Sequence, residues 1–217
     1  MSYLKGFELE NKVELIGYYG SDYTIAQAAW TSTDLTLKDE MRDRVPNLLK
    51  MLADNLHMTP FERSLLHFNI TCDTATHIHI LKHRNIATNG ESARYKELVD
   101  DKAYAPDDWP EHLRLELENW NNLAFKKYHR ALEELEQYLG RKRAKETARF
   151  FLPYSSQLKL DISMSFRTFT QFYNLRAEKD KEGNPIAQQE VNDIAEQMLQ
   201  LIKDTGDFDN TIAAFRF

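Results

Sequence analysis

Cysteine, glycine and proline are scarce in this chain: 217 residues include one Cys, seven Gly and six Pro. A lone thiol, Cys72, excludes an intrachain disulfide framework and fits a reducing cytoplasm. The seven glycines form no G-x-G-x-x-G, so the Rossmann dinucleotide fingerprint is missing. No apolar run approaches the roughly 20 residues that a membrane-crossing helix needs. Met1 to Asn11 has no apolar stretch of the kind a secretory signal carries, so a cytoplasmic protein without membrane partners is expected. A surplus of positive charge is also missing. The formal net charge of −6 argues against a nucleic-acid polymer as partner, because phosphate-binding surfaces are usually basic.

What is present is an ordinary globular composition, 42% hydrophobic and 29% charged, in a length that one domain over 1–217 accommodates. Arginines and histidines gather in three stretches, 77–94, 141–149 and 167–176. A locally basic site on an acidic protein suits a small phosphorylated ligand better than a polyanion.

The hydrophobic pattern predicts a short strand over Val13 to Tyr19 and a short helix over Thr24 to Trp30. Leu37 to Arg44 reads as helix, restarted at Pro46 with Leu48, Leu49, Leu52 and Leu56 as a buried stripe. Within Phe61 to Cys72, Leu66, Phe68, Ile70 and Cys72 alternate with polar residues, the period of a half-buried strand. Thr74 to Asn85 reads as helix, and Asn85 to Lys96 as a polar loop. The longest helix is predicted from Pro106, with Pro110 in its first turn. Its apolar stripe runs from Leu113 through Trp120, Leu123 and Tyr128 to Tyr138, and Gly140 ends it. A shorter helix over Arg141 to Arg149, an extended stretch through Leu158, Ile162 and Met164, and helices at Arg167 to Leu175 and Ile186 to Ile202 complete the chain. The fold class is α+β: helix-rich, with a small, mostly antiparallel sheet.

The densest chemistry lies in His77-Ile78-His79-Ile80-Leu81-Lys82-His83-Arg84. On a continuous helix His79 and His83 share a face, which is half of a metal site; no Cys pair or His-Glu-x-x-His supplies the rest, and no metal is expected. Plain amphipathic helix residues are a second reading. The third is an anion site: cations at a helix C-terminus run into a loop holding Asn89, Ser92 and Arg94, and such groups suit a nucleotide phosphate.

Lys82-His83-Arg84-Asn85-Ile86-Ala87-Thr88-Asn89-Gly90-Glu91-Ser92-Ala93-Arg94 resembles the signature of flavin-dependent thymidylate synthases, Arg-His-Arg-x-x-Ser-x-Asn-Glu-x-Ser-x-Arg. Lys82 replaces Arg, Ala87 replaces the first Ser, and Gly90 stands where the family has Glu. Other segments match in order. They are Ala28-Ala29, Leu37-Lys38-Asp39-Glu40, His57-Met58-Thr59-Pro60-Phe61-Glu62, Ala148-Arg149-x-x-Leu152-Pro153, Phe172-Tyr173-Asn174-Leu175-Arg176-Ala177 and Ala187-Gln188-x-Glu190. The resemblance spans Val13 to Ile202, with one insertion near Lys179 to Pro185.

The resemblance implies an FAD enzyme. NADPH would reduce the flavin, methylenetetrahydrofolate would donate one carbon, and dUMP would become dTMP. By match, Thr59, Lys82, His83, Arg84, Asn89, Gly90, Ser165, Arg167 and Gln171 would bind the flavin. Ser165 and Gln171 stand where relatives often carry Asn. The nucleotide would meet His79, Ile80, Leu81, Lys82, Gly90, Glu91, Ser92, Ala93, Arg94 and Arg149. Arg176 matches the arginine credited with polarising the pyrimidine. A homotetramer with sites shared between chains is the implied assembly. No protein nucleophile is required, and Cys72 in its strand alternation reads as a core residue. His79 stands where relatives commonly place Gln. With Gly90 and Ala87 it leaves open a different pyrimidine or a hydroxymethyl product. A catalytically inactive nucleotide-binding homologue is the alternative from another class.

Overall fold

The computed structural model describes residues 11–32 and 39–217. The expectation for Leu37 and Lys38 lies outside the described residues. The elements run β1 (Lys12–Tyr19), α1 (Asp22–Thr31), α2 (Val45–Asp54), β2 (Leu65–Asp73), α3 (Thr74–Ile80), β3 (Ala87–Gly90), α4 (Glu111–Ala148), β4 (Gln157–Met164), α5 (Phe166–Arg176), α6 (Gln189–Lys203) and α7 (Asp209–Phe215). Short 3₁₀ turns occupy Asp39–Arg44, Thr59–Glu62 and Arg149–Phe151. The strands form one antiparallel sheet in the order β1-β2-β4-β3, and the class is helix-rich α+β, as the sequence predicts.

The chain forms two compact units. One comprises Val13–Ile70, His83–Thr88 and Asp161–Phe217; the other holds Thr71–Lys82 and Asn89–Leu160. The boundary falls within strands, not at a linker: β2 changes unit after Ile70, and β4 after Leu160.

The first unit has an aromatic core of Phe61, Phe166, Phe169, Phe172 and Phe208, all fully buried. Phe166 stacks on Phe208 at 5.4 Å, and Phe61 meets Phe215 edge-on at 4.9 Å. Ser64 joins two segments: its hydroxyl donates to the Phe61 carbonyl and accepts from Phe166 N–H at 2.9 Å. Buried Asp22 accepts from Asn210 N–H, Thr211 N–H and the Thr211 hydroxyl, so a carboxylate sits at the start of α7, where the helix dipole favours negative charge.

The second unit packs Tyr128, Leu132, Ala144 and Ala148 of α4 against Ala93 and Leu98. The Tyr128 hydroxyl accepts from Leu98 N–H at 3.2 Å, which ties the 92–98 loop down.

Several boundaries differ from the sequence reading. Leu56 lies beyond α2 with φ 56° and is 78% exposed; the buried stripe is Val45, Leu49, Leu52 and Ala53. The strand begins at Leu65, because Phe61 belongs to a 3₁₀ turn opened by Pro60. Helix α3 stops at Ile80, not Asn85, so the i,i+4 argument for His79 and His83 fails. The region read as loop contains the exposed edge strand β3. Helix α4 starts at Glu111 with Pro110 as its cap, and α6 starts at Gln189. Gly140 does break the long helix: its φ of 73° and ψ of 156° divide α4 into 111–139 and 141–148.

Candidate active site

Two constellations hold the predicted residues, one in each unit. In the second unit a cavity of about 230 Å³ is lined by Thr74, Glu91, Ser92, Ala93, Arg149, Leu152, Pro153, Tyr154, Ser156 and Leu158. Residues from two separated motifs, 90–94 and 148–153, therefore meet around one space. The alanines of those motifs explain how. Ala93 and Ala148 share a core cluster, and small side chains there let the 92–98 loop approach α4, with Ser92 and Arg149 on its rim.

Arg149 is oriented by its own Nε–H, which donates to the Glu146 carbonyl at 3.0 Å. Arg94 N–H donates to Ser92 Oγ at 3.3 Å, while its guanidinium lies 3.7 Å from Glu146 and over the Tyr95 ring. Glu91 is the carboxylate next to Gly90, where the signature has Glu, and it lines the cavity. It accepts from Lys96 Nζ at 3.0 Å and from Lys159 N–H at 3.2 Å, so both oxygens are engaged in holding the loop to β4. Ser156 is the residue sequence reasoning missed. It is 1% exposed, lines the cavity, and its hydroxyl has no hydrogen-bond partner. Its main-chain carbonyl, by contrast, accepts from Thr74 N–H and the Thr74 hydroxyl. No motif flags a serine in Tyr154-Ser155-Ser156.

The remaining predicted nucleotide contacts are less uniform. Ile80 is wholly buried, so only its backbone can face a ligand. His79 is half-buried on α3, Leu81 caps that helix, and Lys82 is exposed in the turn beyond. Asn89 and Gly90 are exposed on β3.

In the first unit, His83 packs edge-on against Phe172, ring centroids 5.3 Å apart. Burial lowers its pKa, the Arg176 charge adds to this, and a hydrogen bond with the Thr168 backbone opposes it. His83 Nε2 and Arg176 Nε are both buried without a hydrogen-bond partner. Burial also lowers the Arg176 pKa. Two basic side chains on and beside α5 thus present unsatisfied nitrogens. In a folded protein that marks a place where a ligand or water completes the set.

Arg167 pairs with Glu62, which joins α5 to the His57–Glu62 segment. Ser165 caps α5, its Oγ accepting from Thr168 N–H at 3.2 Å. Gln171 and Arg84 are exposed. Thr59 lines a second cavity of about 470 Å³ with Ala28, Ala29, Ser32, Leu52, Leu56, His57, Met58, Pro60 and Arg63, so two further motif segments come together. Cys72 is fully buried, and burial pushes its thiol pKa far above the ordinary range, which removes it as a nucleophile. Among the described residues no group of three or more metal-ligating side chains gathers, and no helix is long and apolar enough to cross a membrane.

Comparison with known families decides the relationship. Residues 14–205 match the model of the thymidylate synthase complementing protein family. The chain belongs to this family. It is 30% identical to the flavin-dependent thymidylate synthase of Pseudothermotoga lettingae over 174 residues, covering 78% of this chain and 77% of that one. To the flavin-dependent thymidylate synthase of Thermosipho melanesiensis it is 27% identical over 212 residues, covering 92% and 86%. Among solved structures, the UMP/dUMP methylase PolB of Streptomyces cacaoi, bound with 5-Br dUMP, superposes with a TM-score of 0.82. That match has 25% identity and covers 98% of this chain and 97% of that one.

Proposed function

We propose that this protein is a flavin-dependent thymidylate synthase that converts dUMP to dTMP, with methylenetetrahydrofolate as carbon donor and NADPH as reductant. The observation that carries the reading is the second unit's cavity, where Ser92 and Arg149 from separate motifs line one space with a buried, unbonded Ser156 hydroxyl. Its 230 Å³ lies below the roughly 300–1,000 Å³ of drug-sized sites, a size that suits the phosphate and sugar of one nucleotide. Arginine is the natural bidentate ligand for a phosphate, a role that falls to Arg149 with Arg94 beside it.

The first unit's residues fit a flavin. His83 has a buried nitrogen without a partner, Arg84 is an exposed cation, and Thr59 stands at the rim of the larger cavity. Bound there, FAD supplies the hydride chemistry that no amino-acid side chain can. Arg176 then stabilises negative charge on the pyrimidine, and His83, held neutral by burial, offers a ring N–H or lone pair to the cofactor. Thr59, Ser165, Arg167 and Gln171 position the flavin, with Lys82, Asn89 and Gly90 from the signature loop; His79 to Lys82 and Gly90 to Arg94 hold the nucleotide.

The engaged Glu91 carboxylate favours one variation on this reading, a pyrimidine nucleotide other than dUMP, because both its oxygens hold the loop to β4. Residues 1–217 act as one domain of a cytoplasmic enzyme. Exposed Trp120, Leu123, Leu113 and Tyr138 on α4 support assembly into a homotetramer with shared sites, which sedimentation tests directly. Calorimetry with FAD, followed by NADPH oxidation with and without dUMP, tests the cofactor assignment. Yellow protein that oxidises NADPH is expected; protein that binds no FAD overturns the proposal.

A further inference from the structure

Position 90 is where the chain departs most from the family signature, and the structure shows what occupies the freed space. His77 lies on the inner face of α3 with Thr76 and Ile80 and is only 9% exposed. A Cβ built on Gly90 would stand 2.9 Å from His77 Cε1 and 3.2 Å from its Nε2. The first distance is one that real Cβ atoms essentially never show, so no side chain fits at 90 while the ring keeps its place. Conformation does not ask for glycine here. Positive φ is found at Gly20, Gly140, Gly183 and Gly206 but not at Gly90. Glycine is required at 90 to make room for an imidazole.

We infer that His77 supplies from α3 the polar group that position 90 lacks, so that His77 and Gly90 form one coupled nucleotide-recognition pair. The inference rests on the nucleotide reading above. The ring edge that meets Gly90 carries Nε2, which lies 3.2 Å from the point where a side chain at 90 would begin. A carboxylate there would only accept hydrogen bonds and would carry charge. A neutral imidazole offers one donor and one acceptor. Burial disfavours the charged ring, against the opposing pull of Asp73 at the start of α3. A pyrimidine nucleoside monophosphate then meets an uncharged donor–acceptor beside the loop that carries Ser92 and Arg94.

The experiment titrates dUMP and UMP into the FAD-loaded protein by calorimetry and records thermal midpoints. Variants are His77→Leu, His77→Gln, Gly90→Ala, and His77→Ala combined with Gly90→Ala. His77→Leu keeps the bulk but loses the nitrogens. It should weaken dUMP binding about tenfold, the size of one lost hydrogen bond, and His77→Gln should stay within about threefold of the parent. Gly90→Ala should lower both midpoint and affinity. Adding His77→Ala should restore the midpoint but not the affinity. His77→Leu with parental affinity, or a double variant that regains both, overturns the pair and leaves a packing role only. A parent that binds neither dUMP nor UMP overturns the nucleotide reading, and the pair with it.

Discussion

Replacing Arg176 by alanine separates a catalytic role from a structural one. Arg176 closes the last turn of α5, and its backbone carbonyl accepts from Asn192 Nδ2 at 2.9 Å. That contact survives truncation to alanine, so α5 keeps its anchor to α6. The side chain has no such duty, because Nε is buried and unbonded, and burial disfavours its charge. The protein therefore keeps a partly buried cation whose Nε a ligand's acceptor atom would satisfy. A preorganised donor facing charge that develops in the transition state contributes on the order of 3–4 kcal/mol, or about two to three decades of rate. An exposed ion pair with neighbouring Glu178 would contribute roughly 0–1 kcal/mol to stability and nothing to the chemistry. Stopped-flow single turnover of pre-reduced enzyme with dUMP and methylenetetrahydrofolate measures the difference, and flavin absorbance reports that FAD stays bound. Arg176→Lys should not rescue, since a point charge cannot make a paired contact to a ring nitrogen and a carbonyl. A parental single-turnover rate in Arg176→Ala would refute the assignment.

Cys72→Ser should leave single turnover within about threefold while lowering stability by about 1–3 kcal/mol, the cost of an unpaired buried hydroxyl; a folded but inactive variant would reopen a thiol mechanism. Ser156→Ala removes the unbonded hydroxyl from the cavity and should raise KM for the nucleotide roughly five- to tenfold, with kcat little changed. Unchanged KM would place Ser156 outside the ligand's reach. Acid should destabilise the fold through His77 and His83, because both pKa values are lowered by burial. The unfolded chain takes up protons near the ordinary value of about 6.5 that the folded chain resists, so their contribution is full above that pH and falls away below it. Thermal midpoints between pH 7.5 and 5.5 should show a drop that His77→Gln with His83→Gln reduces; an equal drop in the double variant would assign it to other groups.

Where one residue's neighbours in sequence are also its physical partners, the chain was readable. Leu66, Phe68, Ile70 and Cys72 alternate in sequence and are all buried, so β2 was visible from its period. Gly140 announced the break in α4 because only glycine is comfortable at its φ. Strand β3 carries no hydrophobic period, since Ala87, Thr88, Asn89 and Gly90 are all exposed and its pairing partner lies in β4. Helix α7 depends on Asp22, 188 residues earlier, a distance no local pattern can report. The site shows the same division. Motif segments singled out Ser92, Arg149, His83 and Arg176 as candidates, but a motif names residues without their spacing. That Ala93 and Ala148 are the small residues behind the cavity rim, that Glu91 is committed to β4, and that Gly90 yields its room to His77 are facts of packing.

Incubating purified protein with FAD, NADPH, methylenetetrahydrofolate and dUMP, and weighing the nucleotide by mass spectrometry, tests the central claim most directly. dUMP should be consumed, and dTMP, heavier by one CH₂, should appear only when all components are present. Recovery of unaltered dUMP from protein that is folded, yellow and binds the nucleotide would contradict it.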